Sequence, residues 1–238
     1  MRLERFTAAM LTLSLVAGCS LFDSKKNHPR TNTVRPVNAQ VQTQELNEAA
    51  NERAMELTKG WPSSATTAAR EIIARYGEPT EVNTSELVWR NVQPFKRIVV
   101  HRIVYFTHFP LLHPNAVEHV VNYRAPAKRV ENVWVYNGSV VLDRVRGEMA
   151  ANGNSEAMNV LSLNLANKVL KGEMSASGAR IQHGKEALAF INGDRTTYTQ
   201  TLLFGDQLNT ADLGEAITDK IRWPGERKSS RRQAQEAK

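Results

Sequence analysis

Six histidines, one cysteine and a few acids and serines near strand ends are the groups in this 238-residue chain that could do chemistry. Histidine changes charge nearest to neutral pH and is a common metal ligand, so His28, His101, His108, His113, His119 and His183 come first. His108, His113 and His119 stand close together, with Glu118 beside the last. Zinc needs about three or four ligands converging at about 2 Å, and no compact spacing such as His-Glu-x-x-His is present. Phe109-Pro110-Leu111-Leu112 separates His108 from His113 as a turn, and His119 falls on a strand. Surface or hydrogen-bonded histidines are therefore expected, and no metal is assigned. A serine hydrolase needs an activated nucleophile, but the chain lacks a Gly-x-Ser-x-Gly elbow. Asn137-Gly138-Ser139 reads instead as a helix stop leading into a strand. Asp143 and Glu148 follow a strand and are the acids weighed for glycoside cleavage; ordinary charged surface is expected there. Gly147, Gly153, Gly172 and Gly178 are scattered turn residues, not a phosphate loop. No catalytic residue and no cofactor is assigned.

The elements that must position these groups follow from apolar periodicity. Gln44 to Lys59 reads as a helix with a stripe of Leu46, Ala50, Ala54 and Leu57, stopped by Gly60. Ser63 or Ser64 caps a second helix running to Tyr76, with a stripe of Ala65, Ala69, Ile72, Ile73 and Tyr76; Gly77 ends it and Pro79 forbids resumption. Strands are expected over Ser85–Arg90, Arg97–Thr107, Ala116–Tyr123 and Ser139–Arg146, with Asn91-Val92-Gln93-Pro94 as a hairpin loop. Pro126 opens a short helix to Tyr136. Asn154 caps the strongest helix, Ser155–Lys171, whose stripe is Met158, Leu161, Leu165 and Val169, with Lys168 and Lys171 suited to the negative end of its dipole. Another helix falls within Ser175–Phe190, and Arg195–Phe204 reads as a last strand. Trp89 and Trp134 are expected in the core, while Trp61, between Gly60 and Pro62, either packs under its own helix or meets a partner. Helices, then strands, then helices imply an α+β fold, with helices packed on one face of an antiparallel sheet of about four or five strands.

Hydrophobic residues make up 41% of the chain, enough for a core, and 31 Lys and Arg against 24 Asp and Glu give a formal charge of +7. That balance favours anionic surfaces or acidic partners. The basic excess is greatest at Arg222, Arg227, Lys228, Arg231 and Arg232, a solvated tail or one that touches headgroups with Trp223 at the interface.

The N-terminus decides where this chemistry would take place. Met1-Arg2-Leu3-Glu4-Arg5 is short and basic, and Phe6 to Ala17 is apolar except for Thr7, Thr12 and Ser14. A spanning helix needs about 20 apolar residues, so this run fits a secretory signal. Leu15-Val16-Ala17-Gly18-Cys19 resembles the lipobox of bacterial lipoproteins. The resemblance implies that a signal peptidase reads Leu15, Val16, Ala17 and Gly18, cuts before Cys19, and leaves lipid on the Cys19 thiol. Ser20 in the next position implies sorting to the outer membrane, facing the periplasm. Cys19 is the only cysteine, so no disulfide staples the fold. Nucleic acid is not an expected partner for an exported chain.

The expected organisation is a signal peptide over 1–18, a lipidated cysteine and flexible tether over 19–43, one α+β domain over 44–205 and a basic, partly disordered tail over 206–238. From Ala68 to Trp89, a helix ending Arg75-Tyr76-Gly77-Glu78-Pro79-Thr80 precedes a strand ending Leu87-Val88-Trp89. This stretch resembles the small outer-membrane lipoproteins of the β-barrel assembly machinery. The segment from Phe109-Pro110 through Gly138-Ser139 to Leu165 resembles uncharacterised bacterial proteins. Neither resemblance supplies catalytic residues. The expected function is a lipid-anchored envelope protein that binds or scaffolds another envelope component, either a protein or an anionic lipid. The alternative is an envelope enzyme, hydrolytic or metal-dependent, whose site assembles only in three dimensions.

Overall fold

The computed structural model describes residues 37–214 and 218, with side chains from 45 onward. The lipobox residues Leu15, Val16, Ala17, Gly18 and Cys19, together with His28, Trp223 and the C-terminal basic cluster, lie outside the described residues. The chain runs α1 (Val37–Leu57), α2 (Ser63–Tyr76), β1 (Glu81–Val82), β2 (Glu86–Arg90), β3 (Arg97–Thr107) and β4 (His113–Asn122). A 3-10 turn (Ala127–Arg129) leads into α3 (Val130–Tyr136), β5 (Val140–Asp143), β6 (Glu148–Gly153), α4 (Glu156–Lys171), α5 (Ala176–Ile191) and α6 (Thr197–Gln200). The strands form one antiparallel sheet of six, ordered β1-β2-β3-β4-β6-β5. The fold is α+β, with one or two strands more than expected from sequence.

Alternation sets the faces of the sheet. Ile98 and Val100 of β3, Val117 and Val121 of β4, and Met149 and Ala151 of β6 join the core on the helix side. Trp89 is buried there too, and its indole N–H donates to the Gly77 carbonyl at 2.8 Å. That bond satisfies the polar edge of a large apolar ring. The opposite face carries Glu86, Arg97, Glu118 and Glu148, joined by ion pairs such as Arg97–Glu148 at 2.8 Å.

α2 buries Ala65, Ala69, Ile72 and Ile73 of its expected stripe together with Ala68, leaves Tyr76 partly buried, and ends at Gly77 with φ +78°. α1 covers α2 with Ala50 and Ala54; it starts at Val37, inside the stretch read as tether, and Leu46 from the expected stripe is 69% exposed. α4 is buried on nearly every side rather than along one stripe, because β6 and β4 lie beneath it and α3, α5 and α6 surround it. Its cap is Ser155, whose hydroxyl accepts from Met158 N, and not Asn154.

Several expectations are overturned. The strand expected over Ser139–Arg146 ends at Asp143, a turn follows, and β6 lies beyond it. Met149-Ala150-Ala151 lacks β-branched residues, so propensity hides β6; its small side chains let α4 sit close to the sheet. The strand expected over Arg195–Phe204 is absent. Asn164 on α4 donates to the Tyr198 and Thr201 carbonyls at 3.0 and 2.8 Å and accepts from Leu203 N at 2.7 Å. Those side-chain bonds take the backbone groups that a sheet would use. Trp134 is 61% exposed, because Val133 and Tyr136 already fill the inward face of the short α3. The start of the expected tail is docked: Thr210 Oγ1 donates to the Gly147 carbonyl at 2.7 Å, and Asp212 pairs with Arg144. Gly147 has φ +63°, and a Cβ there would strike the Thr210 backbone.

Candidate binding site

The loop between β3 and β4 folds down onto α5. Arg180 holds it: the guanidinium carbon lies 4.0 Å from the Phe109 ring centroid, and Nη1 donates to the Tyr136 carbonyl at 2.8 Å. One side chain thus fastens the hairpin loop, α3 and α5 together. A cavity of about 190 Å³ remains between this loop, the end of β6, α4 and α5. Phe109, Leu112, Met158, Ala187, Phe190 and Ile191 give it apolar walls. Asn137, Ser139, Asn159, Ser162 and His183 form a polar end, and no acid, lysine or arginine lines it.

His183 is 1% exposed and stands on the buried stripe of α5 with Ala179 and Ala187. Its Nδ1 lies 2.8 Å from the Tyr136 hydroxyl. Burial, reinforced by the charges of His113 and Arg180, pushes the His183 imidazole down to about 4. Burial also raises the Tyr136 phenol well above its ordinary value. Both groups are neutral at pH 7, and beside them the Asn137 amide donates to Ser162 Oγ at 3.3 Å. His183 Nε2 is buried and has no partner among the described residues. A buried polar atom left without a partner costs about 1–3 kcal/mol.

A second buried polar cluster lies beneath the N-terminus of α4. His119 is fully buried on the helix side of β4, and its Nδ1 accepts from Asn159 Nδ2 at 2.9 Å. Nε2 faces Glu156 Oε2 at 3.7 Å. Glu156 is also met by Arg75 at 3.0 Å and by the Tyr76 hydroxyl at 3.0 Å. Burial lowers His119 and keeps it neutral. Burial would raise Glu156, but His119, Arg75 and Tyr76 outweigh it and hold the carboxyl below its ordinary range. An acid, an imidazole and a third group in line resemble a hydrolytic relay, yet the third group is the Asn159 amide, which also donates to the Val117 carbonyl at 2.9 Å. It has no nucleophilic electron pair to offer.

The remaining candidates separate. His101 faces Glu86 at 3.3 Å on the charged side of the sheet. His113 Nδ1 is tied to the Leu111 carbonyl at 2.8 Å at the cavity rim, and His119 is sealed below, so His108, His113 and His119 do not converge. Among the described residues no three His, Cys, Asp or Glu side chains group as metal ligands. Asp143 and Glu148 are not a catalytic pair. Asp143 is held low by the backbone and guanidinium of Arg146. Burial would raise Glu148, but Lys96 and Arg97 overcome it and hold it low too. Neither acid is poised to donate a proton at neutral pH. Trp61 packs partly buried against the core. The residue that sequence reasoning left without a role is His183. Its spacing of four from Ala179 and from Ala187 marks an apolar helix face interrupted by a polar group.

Comparison of the chain with protein-family models, with curated proteins and with solved structures returns no match.

Proposed function

We propose that this chain is a lipid-anchored cell-envelope protein that binds another envelope protein, and that the β3–β4 hairpin is its contact arm. The observation that carries this reading is the hairpin's exposed apolar surface. β2 pairs with β3 only as far as His101, so the rest of the hairpin projects past the edge of β2. Ile103, Tyr105, Phe106, Leu111 and Leu112 on this projection are 64%, 69%, 68%, 57% and 64% exposed. Apolar residues gathered in this way mark an interaction surface more often than ordinary solvated surface. The loop from Thr107 to His113 carries no lysine or arginine, so attraction to anionic headgroups is not built into it. A protein partner fits better than a lipid one.

Two further features support binding over catalysis. The buried imidazoles are neutral, Asp143 is paired with Arg146, and Glu148 is paired with Lys96 and Arg97. The lipobox and the basic charge support an envelope location. No helix among the described residues is long and apolar enough to cross a membrane, so attachment through Cys19 is the proposed anchor. The test is affinity capture of the full-length chain from crosslinked cells, beside an Ile103→Ser, Tyr105→Ser double variant and a Lys128→Ser control. One dominant envelope protein, lost with the arm variant and kept with the control, is expected. Equal capture by all three proteins contradicts the arm.

A further inference from the structure

β2 enters the sheet only at Glu86, opposite His101. A tight turn sets that limit. Asn83 Oδ1 accepts from the backbone N–H groups of Ser85 and Glu86 at 2.9 and 2.8 Å, and Asn83 N donates to the Glu86 carbonyl at 3.0 Å. Just before the strand, the Ser85 carbonyl accepts from Arg102 N at 2.8 Å. β3 nevertheless runs on to Thr107. A bulge interrupts its pairing with β4 between Val100 and Tyr105, after which Tyr105, Phe106 and Thr107 pair with Asn115, Pro114 and His113. The strand is thus held extended from one side, and among the described residues no strand pairs with Ile103–Thr107 on the other. An edge of this length presents unpaired N–H and C=O groups over about 17 Å. Proline and lysine, which blunt such edges, are missing from Ile103-Val104-Tyr105-Phe106-Thr107.

We propose that this edge receives an extended segment of the partner protein, added as an antiparallel strand in the line that β2 leaves vacant. The proposal rests on the reading of the hairpin as a contact arm. Only extended backbone repeats donors and acceptors at the spacing of the free edge; a helix has spent its own on itself. Ile103, Tyr105 and Phe106 are exposed along the edge, so β-branched or aromatic side chains on the added strand would pack beside them. Arg102 is exposed, and its guanidinium reaches only the Thr84 carbonyl, at 3.5 Å. A carboxylate on the added strand beside Arg102 supplies the complementary charge. A second copy of this chain fits less well. Antiparallel self-pairing would carry the Leu111-Leu112 tip of each copy towards the other's polar Asn83-Thr84-Ser85 turn and leave both leucines in water.

The spacing of crosslinks along the partner tests the added strand. A photo-crosslinking amino acid is placed at Ile103 or at Thr107 of the full-length chain in cells, and the modified partner residues are mapped by mass spectrometry. The two positions lie about 14 Å apart along β3. An antiparallel strand puts the Thr107 adduct about four residues nearer the partner's N-terminus than the Ile103 adduct, whereas a docked helix separates them by about nine. In the complex crosslinked through Leu112, about half the amides of Ile103–Thr107 should exchange at least about tenfold more slowly than in the free chain. Arg102→Ser should lower the Ile103 adduct about threefold or more with the Tm unchanged, the effect of losing one interfacial charge pair. Helical or scattered spacing, adducts joining two copies of this chain, unchanged exchange or indifference to Arg102→Ser each overturn the proposal. Such a result with adducts still confined to one envelope protein removes the added strand and leaves the arm standing; no adduct from any arm position removes both.

Discussion

His183 and His119 decide how stability depends on pH. Both imidazoles are pushed below their ordinary value of 6.5, His183 to about 4. The unfolded chain therefore binds protons at these positions before the folded one does. Their contribution to stability is fully present above pH 6.5 and is lost as the pH falls from 6.5 towards the folded values. Each group accounts for at most about 1.4 kcal/mol per pH unit in that window. The depressed carboxyls Glu148 and Glu156 act in the same direction at lower pH, below their ordinary 4.5. Thermal unfolding should show a flat Tm above pH 7 and a steep fall between pH 6 and about 4. His183→Phe should flatten part of that fall while lowering the plateau, since Tyr136 loses its partner. A Tm unchanged from pH 8 to 4 contradicts this account of the buried histidines.

At the scale of elements, α4 organises the molecule through three buried asparagines. Asn159 ties β4, Asn167 accepts from the Tyr123 hydroxyl at 3.0 Å, and Asn164 holds the segment after α5. Asn164→Ala removes three hydrogen bonds and leaves backbone groups unsatisfied, at a cost of about 2–4 kcal/mol. Chemical denaturation should report that loss, and hydrogen exchange should show residues 197–203 opening first. Protection of 197–203 equal to that of the native chain contradicts the role of Asn164. Ser155→Ala should cost about 1 kcal/mol through the lost cap, readable in the same denaturation experiment.

These elements also show what the sequence discloses. α2 and β3 are legible to within a residue, because four-residue alanine and isoleucine spacing and a run rich in β-branched and aromatic residues are local signals. α4 was legible as a helix but not as a central one, since Ser162, Asn164 and Asn167 resemble a solvated face until their partners are known. β6 and the 197–203 segment were misread for a related reason: an alanine strand and a threonine-rich turn take their form from α4, not from their own propensity. Of the candidate site, the hairpin and its apolar residues could be read. The cavity could not, because Phe109, Arg180 and His183 meet only after the loop and α5 pack together.

For the whole molecule, the account joins an anchor, a charged sheet face and an apolar arm. The anchor is a proposal from the first residues alone. Cys19→Ser should move the chain from the membrane fraction to the soluble envelope fraction or block its processing. A variant that still sediments wholly with membranes contradicts lipid attachment. The sheet face opposite the helices carries crossed ion pairs, such as Arg97 with Glu118 and Glu148, so its charge is largely balanced. The hairpin lacks that compensation, which is why the arm is where a partner is expected.

The arm's contact is tested most directly by placing a photo-crosslinking amino acid at Tyr105, at Leu112 and, as a control, at Lys128, then irradiating living cells. The account predicts one discrete adduct to a single envelope protein from Tyr105 and Leu112, and none from Lys128. Adducts from all three positions alike, or none from the arm while the chain is intact and in the envelope, would contradict it.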